Sequence, residues 1–106
     1  PFGRRMNFEL HLTKSAEKDL TKLRGLAEEA VRAILALKQN PYLGHQLKGS
    51  LLRVRALEFS LKGVAYRAAY IIQEDDKTCL VFMIGPHEGF YQKAARRAKA
   101  LKDREG

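Results

Sequence analysis

Glu58 and Arg67 are spaced to stand opposite each other on paired strands. Leu57, Phe59 and Leu61 alternate with Glu58 and Ser60, while Val64, Tyr66, Ala68, Tyr70 and Ile72 alternate with Ala65, Arg67 and Ala69. Two such runs separated by Lys62-Gly63 predict a hairpin with a two-residue turn, which pairs 61 with 64, 59 with 66 and 58 with 67. On that register the carboxylate and the guanidinium point away from the apolar face. Ala65 and Ala69 flank the Arg on either side and leave a shallow depression around it. Upstream, Leu52, Val54 and Ala56 fall on even numbers whereas Leu57 onward fall on odd ones. A one-residue bulge near Ala56-Leu57 reconciles the two runs and puts Arg53 and Arg55 on the face of Glu58 and Arg67. Three cations and one carboxylate are the chemistry of a phosphodiester site, with charge to hold a phosphate and a base to take a proton. A cross-strand ion pair on a solvated face accounts for the same residues without any function.

A second group lies in the segment Ile84-Gly85-Pro86-His87-Glu88-Gly89-Phe90-Tyr91, where a strand gives way to a helix. His87 is the side-chain type that exchanges a proton near neutral pH. Tyr91, one helical turn on, offers a ring on which a base can stack. Read alone, they are a capping histidine and the edge of an amphipathic core. His11 and His45 have no partners at ligand-like spacing and receive no role. The single Cys79 excludes an internal disulfide and a cysteine-based zinc site, and no metal site or cofactor is expected.

The elements that must position these groups follow from the hydrophobic pattern. Phe8, Leu10 and Leu12 predict a half-buried strand. Ser15 is the expected N-cap of a first helix with Ala16, Leu20 and Leu23 on one face. Gly25 interrupts, and a second helix from about Leu26 carries Ala27, Ala30, Val31 and Ile34 until Asn40-Pro41 stops it. Residues 42–49 read as a loop. After the hairpin and a turn at Glu74 to Lys77, Leu80 to Ile84 is apolar on both faces, as a central strand is. Phe90 to Leu101 is the last helix. The order β-α-α-β-β-β-α predicts an α+β sandwich around a small, mainly antiparallel sheet.

The chain has 106 residues and a net charge of +8, enough for one domain and one modest core. Pro1 to Arg5 begin no pattern and are read as an extension ahead of a single domain spanning residues 6–102. The basic residues concentrate on the hairpin and the last helix, so a polyanionic partner is expected. Lys93, Arg96, Arg97, Lys99, Lys102 and Arg104 could track a phosphate backbone or simply form a solvated face. The longest apolar run, Cys79 to Ile84, is far short of the ~20 residues of a membrane span, and no secretory leader is visible. A cytoplasmic protein without a membrane partner is expected.

The sequence also resembles the RelE/ParE toxins of toxin–antitoxin systems from Phe8 to about Ala98. The matching pieces are Ser15-Ala16 with Asp19-Leu20 and Lys22-Leu23, Asn40-Pro41 with Gly44, and Leu47-Lys48-Gly49. They continue with Gly63 to Tyr70 (GVAYRAAY), then Ile84-Gly85, His87 and Tyr91. The resemblance implies one of two activities, cleavage of mRNA in the ribosomal decoding site or inhibition of DNA gyrase without a nuclease site. In the nucleases the Arg of the Gly-x-Tyr-Arg segment contacts the scissile phosphate, which maps onto Arg67. The preceding strand supplies Lys, Arg or Glu, which maps onto Arg53, Arg55 and Glu58. The family's Gly-to-Tyr spacing is kept by Gly85 and Tyr91, with His87 where an Arg is usual. The nuclease reading makes Glu58 the general base, His87 the general acid and Arg67 with Arg55 the holders of the phosphorane charge. Tyr91 stacks on a base, and Arg53, Lys48, Lys62, Lys93, Arg96 and Arg97 bind the RNA. Implied partners are an acidic, partly disordered antitoxin, the ribosome and mRNA. A gyrase inhibitor, or an inactive toxin that keeps only antitoxin binding, are the competing readings.

Overall fold

The computed structural model describes residues 7–105, so Pro1 to Arg5 lie outside the described residues. In chain order the elements are β1 (Glu9–Leu12), α1 (Lys14–Thr21), α2 (Ala27–Leu35), β2 (His45–Gln46), β3 (Val54–Leu61), β4 (Val64–Gln73), β5 (Thr78–Pro86) and α3 (Phe90–Glu105). Short 3-10 turns at Ala36–Lys38 and Gly49–Leu51 follow α2 and β2. The five strands form one sheet in the order β1-β5-β4-β3-β2. β1 runs parallel to β5, and the other pairs are antiparallel. This is the α+β architecture that the hydrophobic pattern predicts, with β2 added inside the stretch read as a loop.

Helix α1 starts two residues earlier than an N-cap at Ser15 predicts. Thr13 is its N-cap, with Oγ1 accepting from the Ala16 N–H at 3.1 Å, and Glu17 lies in the first turn. Between α1 and α2 the chain passes through positive φ at Arg24 and Gly25. The β3–β4 hairpin turns at Lys62 and Gly63, with φ of 51° and 79°, the pair of positive values that a type I′ turn requires. Its register runs from Val54↔Ile71 to Leu61↔Val64 and pairs Glu58 with Arg67.

Both faces of the sheet are covered, and this corrects two expectations. Phe8, Ala16, Ile34, Leu37, Ala68, Tyr70, Cys79, Val81 and Ile84 pack between the sheet and the helical hairpin α1–α2. Val54, Ala56, Ala69, Ile71, Phe82 and Met83 pack beneath Phe90 and Ala94 of α3. The apolar residues of β3 change parity because its two halves bury different faces. No bulge interrupts β3, since the β3–β4 ladder is continuous. The irregularity lies instead between β4 and β5, where Ala69 pairs with Met83 and Tyr70 with Val81, leaving Phe82 as the extra residue. The face carrying Glu58 and Arg67 is therefore the α3 face rather than an open solvated one.

Candidate functional site

On the α3 face, β3 and β4 bring Glu58 and Arg67 side by side, and the first turn of α3 brings Tyr91 over them. Arg67 Nη2 lies 3.1 Å from Glu58 Oε2, and Nη1 donates to the Tyr91 hydroxyl. The Arg67 guanidinium also sits 5.1 Å from the centre of the Tyr91 ring and 6.0 Å from that of Phe90. These contacts leave the Arg67 side chain only 14% exposed, against 56% for Glu58. A cation is thus held in a fixed orientation at the mouth of the α3 core, beside a carboxylate open to solvent. Such an arrangement can bind an anion and accept a proton at one place.

Gly85 pairs with Arg67 across the β4–β5 ladder, and His87 follows just beyond the end of β5. Its carbonyl accepts from Phe90 N–H at 3.2 Å, which closes the turn into α3. The imidazole is exposed and lines a surface depression with Glu88, Phe90 and Tyr91. Among the described residues its ring has no hydrogen-bond partner, and it shares the depression with Tyr91, which contacts Arg67.

Two of the expected site residues are placed elsewhere. Without the bulge, Arg55 falls on the opposite face from Glu58, the face of Leu57 and Phe59. Its Nε donates to the Gly44 carbonyl at 2.9 Å, its Nη2 to the Tyr42 carbonyl at 3.3 Å, and its guanidinium lies 5.4 Å from the centre of the Tyr42 ring. Arg55 thus holds the segment before β2 and cannot share the charge of a phosphate at Arg67. Arg97 is likewise withdrawn from the nucleic-acid set. Both its terminal nitrogens engage the buried carboxylate of Asp19, at 2.6 and 3.0 Å, and Nη1 also donates to the Phe82 carbonyl at 3.0 Å.

The remaining cations are exposed. Arg53 precedes β3 and lines a groove with Ser50, Ala98 and Lys102 of α3. It is separated from Glu58 by roughly 16 Å of extended strand at ~3.3 Å per residue. Lys62 stands at the hairpin tip, Lys48 follows β2, and Lys93 and Arg96 face solvent on α3. Among the described residues none of them forms an ion pair or side-chain hydrogen bond with Glu58 or Arg67.

His45, which spacing alone leaves without a role, joins the same face. It pairs with Ala56, and its neighbour in parity, Leu47, is buried in the α3-side core. His45, Lys48 and Tyr91 line one groove. A two-residue strand has too little alternation to be read from sequence, so this placement needed the fold. Among the described residues no cluster of three or more His, Cys, Asp or Glu could hold a metal ion. Among the same residues no helix is long and apolar enough to cross a membrane.

The architecture is similar to that of several solved structures. A double mutant of the Escherichia coli toxin RelE in the free state is 18% identical, with a TM-score of 0.71 over 90% of this chain and 98% of that one. A chain of the toxin–antitoxin complex RelBE2 from Mycobacterium tuberculosis is 24% identical, with a TM-score of 0.61 over 76% and 99%. A chain of the archaeal RelE–RelB complex from Pyrococcus horikoshii is 15% identical, with a TM-score of 0.53 over 78% and 98%. No curated protein matches the chain in sequence. The family model for the ParE-like toxin of type II bacterial toxin–antitoxin systems matches residues 10–95, nearly the whole described fold, and the chain belongs to that family.

Proposed function

We propose that this toxin is a ribosome-dependent endoribonuclease that cuts mRNA in the cytoplasm by attack of a 2′-hydroxyl on the adjoining phosphate. The observation that carries the reading is the corner itself, in which one guanidinium, one solvent-open carboxylate and one tyrosine converge beside a free imidazole. Glu58 takes the proton from the 2′-hydroxyl as the 2′-oxygen bonds to phosphorus. Arg67 holds the charge that builds on the non-bridging oxygens, as a preorganised cation does best where water is excluded. His87 gives a proton to the 5′-oxygen as the phosphorus–oxygen bond to it breaks. Tyr91 supports the guanidinium from one side and offers its ring to a base. Lys48, Lys62, Lys93 and Arg96 attract the backbone from the rim, with Arg53 farther along the groove.

The family also contains toxins without chemistry, and one feature favours that second reading. Arg67 is already engaged by both Glu58 and Tyr91, so the corner is equally a rigid docking surface for gyrase and DNA. Incubating the protein in parallel with translating ribosomes and with gyrase plus supercoiled DNA separates the two. The nuclease reading expects cut mRNA and unaffected gyrase; intact mRNA beside inhibited gyrase replaces it with the second reading. The partner under either reading is an acidic antitoxin, since several of the similar folds are toxins in complex with RelB-type antitoxins.

A further inference from the structure

Gly85 stands directly across the β4–β5 ladder from Arg67, at a position where the fold itself does not require a glycine. Gly25, Gly49, Gly63 and Gly89 have positive φ, and Gly85 does not. A Cβ at Gly44 would lie 2.7 Å from two other atoms, whereas a Cβ at Gly85 would meet no atom of the described residues within 4 Å beyond its chain neighbours. A glycine inside a strand weakens it, since it packs no side chain and loses more backbone freedom on folding. The bulge is what sets it against Arg67. Counted from Gln73↔Thr78, an uninterrupted ladder would put Ile84 there, and the extra residue Phe82 shifts β5 by one so that Gly85 takes the place.

We infer that the space over Gly85 is the seat of the reacting phosphodiester, and that Gly85 determines access to Arg67 by having no side chain. The inference rests on the RNA-cleavage reading above and names the side from which that substrate reaches the guanidinium. Residues paired across neighbouring strands share a face, with Cβ atoms ~4.5–5.5 Å apart, so a side chain at position 85 would stand beside that of Arg67. Glu58 reaches Arg67 from β3, on the other flank of β4, which leaves the β5 flank to the substrate. Ala65, two residues before Arg67 on the same face, is exposed and adds only a methyl group. Glu58 and Tyr91 engage Nη2 and Nη1, and a guanidinium carries five N–H donors, so donors remain for phosphate oxygens. β5 ends at Pro86, one residue before His87. A phosphorus seated here has the base on its β3 side and the acid on its β5 side, as displacement in line requires.

The test is single-turnover cleavage on ribosomes programmed with a short mRNA, titrated with wild-type protein, Gly85→Ala, Gly85→Val and Gln73→Val, with melting curves of all four. Both Gly85 variants should melt no lower than the wild type, because the added carbons enter open space. Gly85→Val should slow cleavage at saturating protein by about 10²-fold, the loss that a ~1 Å misplacement of reacting groups can bring. Its half-saturating concentration should stay near that of the wild type, since the exposed cations are untouched. Gly85→Ala should fall between the two. Gln73→Val, six residues along β4 from Arg67, should leave rate and titration unchanged. Gly85→Val cutting at the wild-type rate overturns the seat. So does a loss of cleavage that tracks a fall in melting temperature in both Gly85 variants, which would make the glycine structural. A loss confined to the half-saturating concentration also overturns it and puts Gly85 on a docking surface. A wild type that cuts nothing fails the nuclease reading and the seat with it, whereas an active wild type beside an active Gly85→Val fails the seat alone.

Discussion

Arg97 of α3 and Asp19 of α1 form a two-pronged ion pair, at 2.6 and 3.0 Å, over the uncovered end of β5. β1 pairs with β5 only as far as Leu12 opposite Val81, so the backbone groups of β5 beyond that point need other partners. Asp19 accepts from the Ile84 N–H at 2.9 Å and Arg97 donates to the Phe82 carbonyl, which finishes the edge with side chains instead of a strand. The same contact ties α1 to α3, and α3 carries Tyr91 to Arg67.

Removing either partner should therefore be costly. Asp19→Ala or Arg97→Ala should lower unfolding stability by ~3–5 kcal/mol, because the remaining charge is left buried and unpaired. Arg96→Ala, one position away on the exposed side of α3, should change it by less than about 0.5 kcal/mol. Equilibrium denaturation of the three variants checks the contrast.

Gly44 should tolerate no side chain. A Cβ there would lie 2.7 Å from both the Ala56 carbonyl oxygen and the Tyr70 hydroxyl. That hydroxyl accepts from Gly44 N–H at 2.9 Å and donates to the Pro41 carbonyl at 2.6 Å, and burial pushes the phenol above its usual range. Gly44→Ala should cost about 1–3 kcal/mol through overpacking. Tyr70→Phe should cost a similar ~1–3 kcal/mol by leaving two buried backbone groups without a partner. Melting curves of both variants, compared with the wild type, measure these losses.

The strong local signals in the sequence were enough to read most of the fold. The Lys62-Gly63 turn pins the hairpin register and thereby the Glu58–Arg67 pairing, because a two-residue turn leaves no freedom to slip. Long-range relations were not legible in the same way. The parity change in β3 is ambiguous between a bulge and a second covered face, and only the position of α3 decides it. That decision moves Arg55 to the other face. Arg97 sits among exposed cations of α3 in sequence, and its partner Asp19 lies in another helix, so no local pattern marks it as structural. Two-residue β2 is too short to show alternation, which hid the placement of His45 beside Tyr91.

Arg67 should be needed for toxicity more than for folding. Its ion pair with exposed Glu58 and its contacts with two rings predict a stability loss of about 1–2 kcal/mol in Arg67→Ala. The same variant should lose growth inhibition altogether while still binding its antitoxin. Arg67→Lys should not restore toxicity, since an ammonium cannot hold two partners in one plane. Induction of each variant, with melting curves alongside, gives the comparison.

Association with the antitoxin should depend strongly on salt. A chain of net charge +8 steers an acidic partner over distances that physiological salt cuts to about 8 Å. Raising the ionic strength should lower the association rate severalfold with a smaller effect on dissociation. Stopped-flow mixing checks this, and a rate indifferent to salt would show that the contact is chiefly apolar.

Whether this corner performs phosphodiester chemistry is decided by cleavage of a ribosome-bound mRNA carrying one 2′-deoxy sugar at the cut site. Attack by the 2′-hydroxyl requires that the all-ribose message be cut to an upstream fragment ending in a 2′,3′-cyclic phosphate, and that the deoxy message survive. His87→Gln should slow the first reaction by about 10²–10⁴-fold, the usual loss for a missing general acid. Equal cutting of both messages would rule out attack by the 2′-hydroxyl, and an all-ribose message left intact by the wild-type protein would rule out the nuclease.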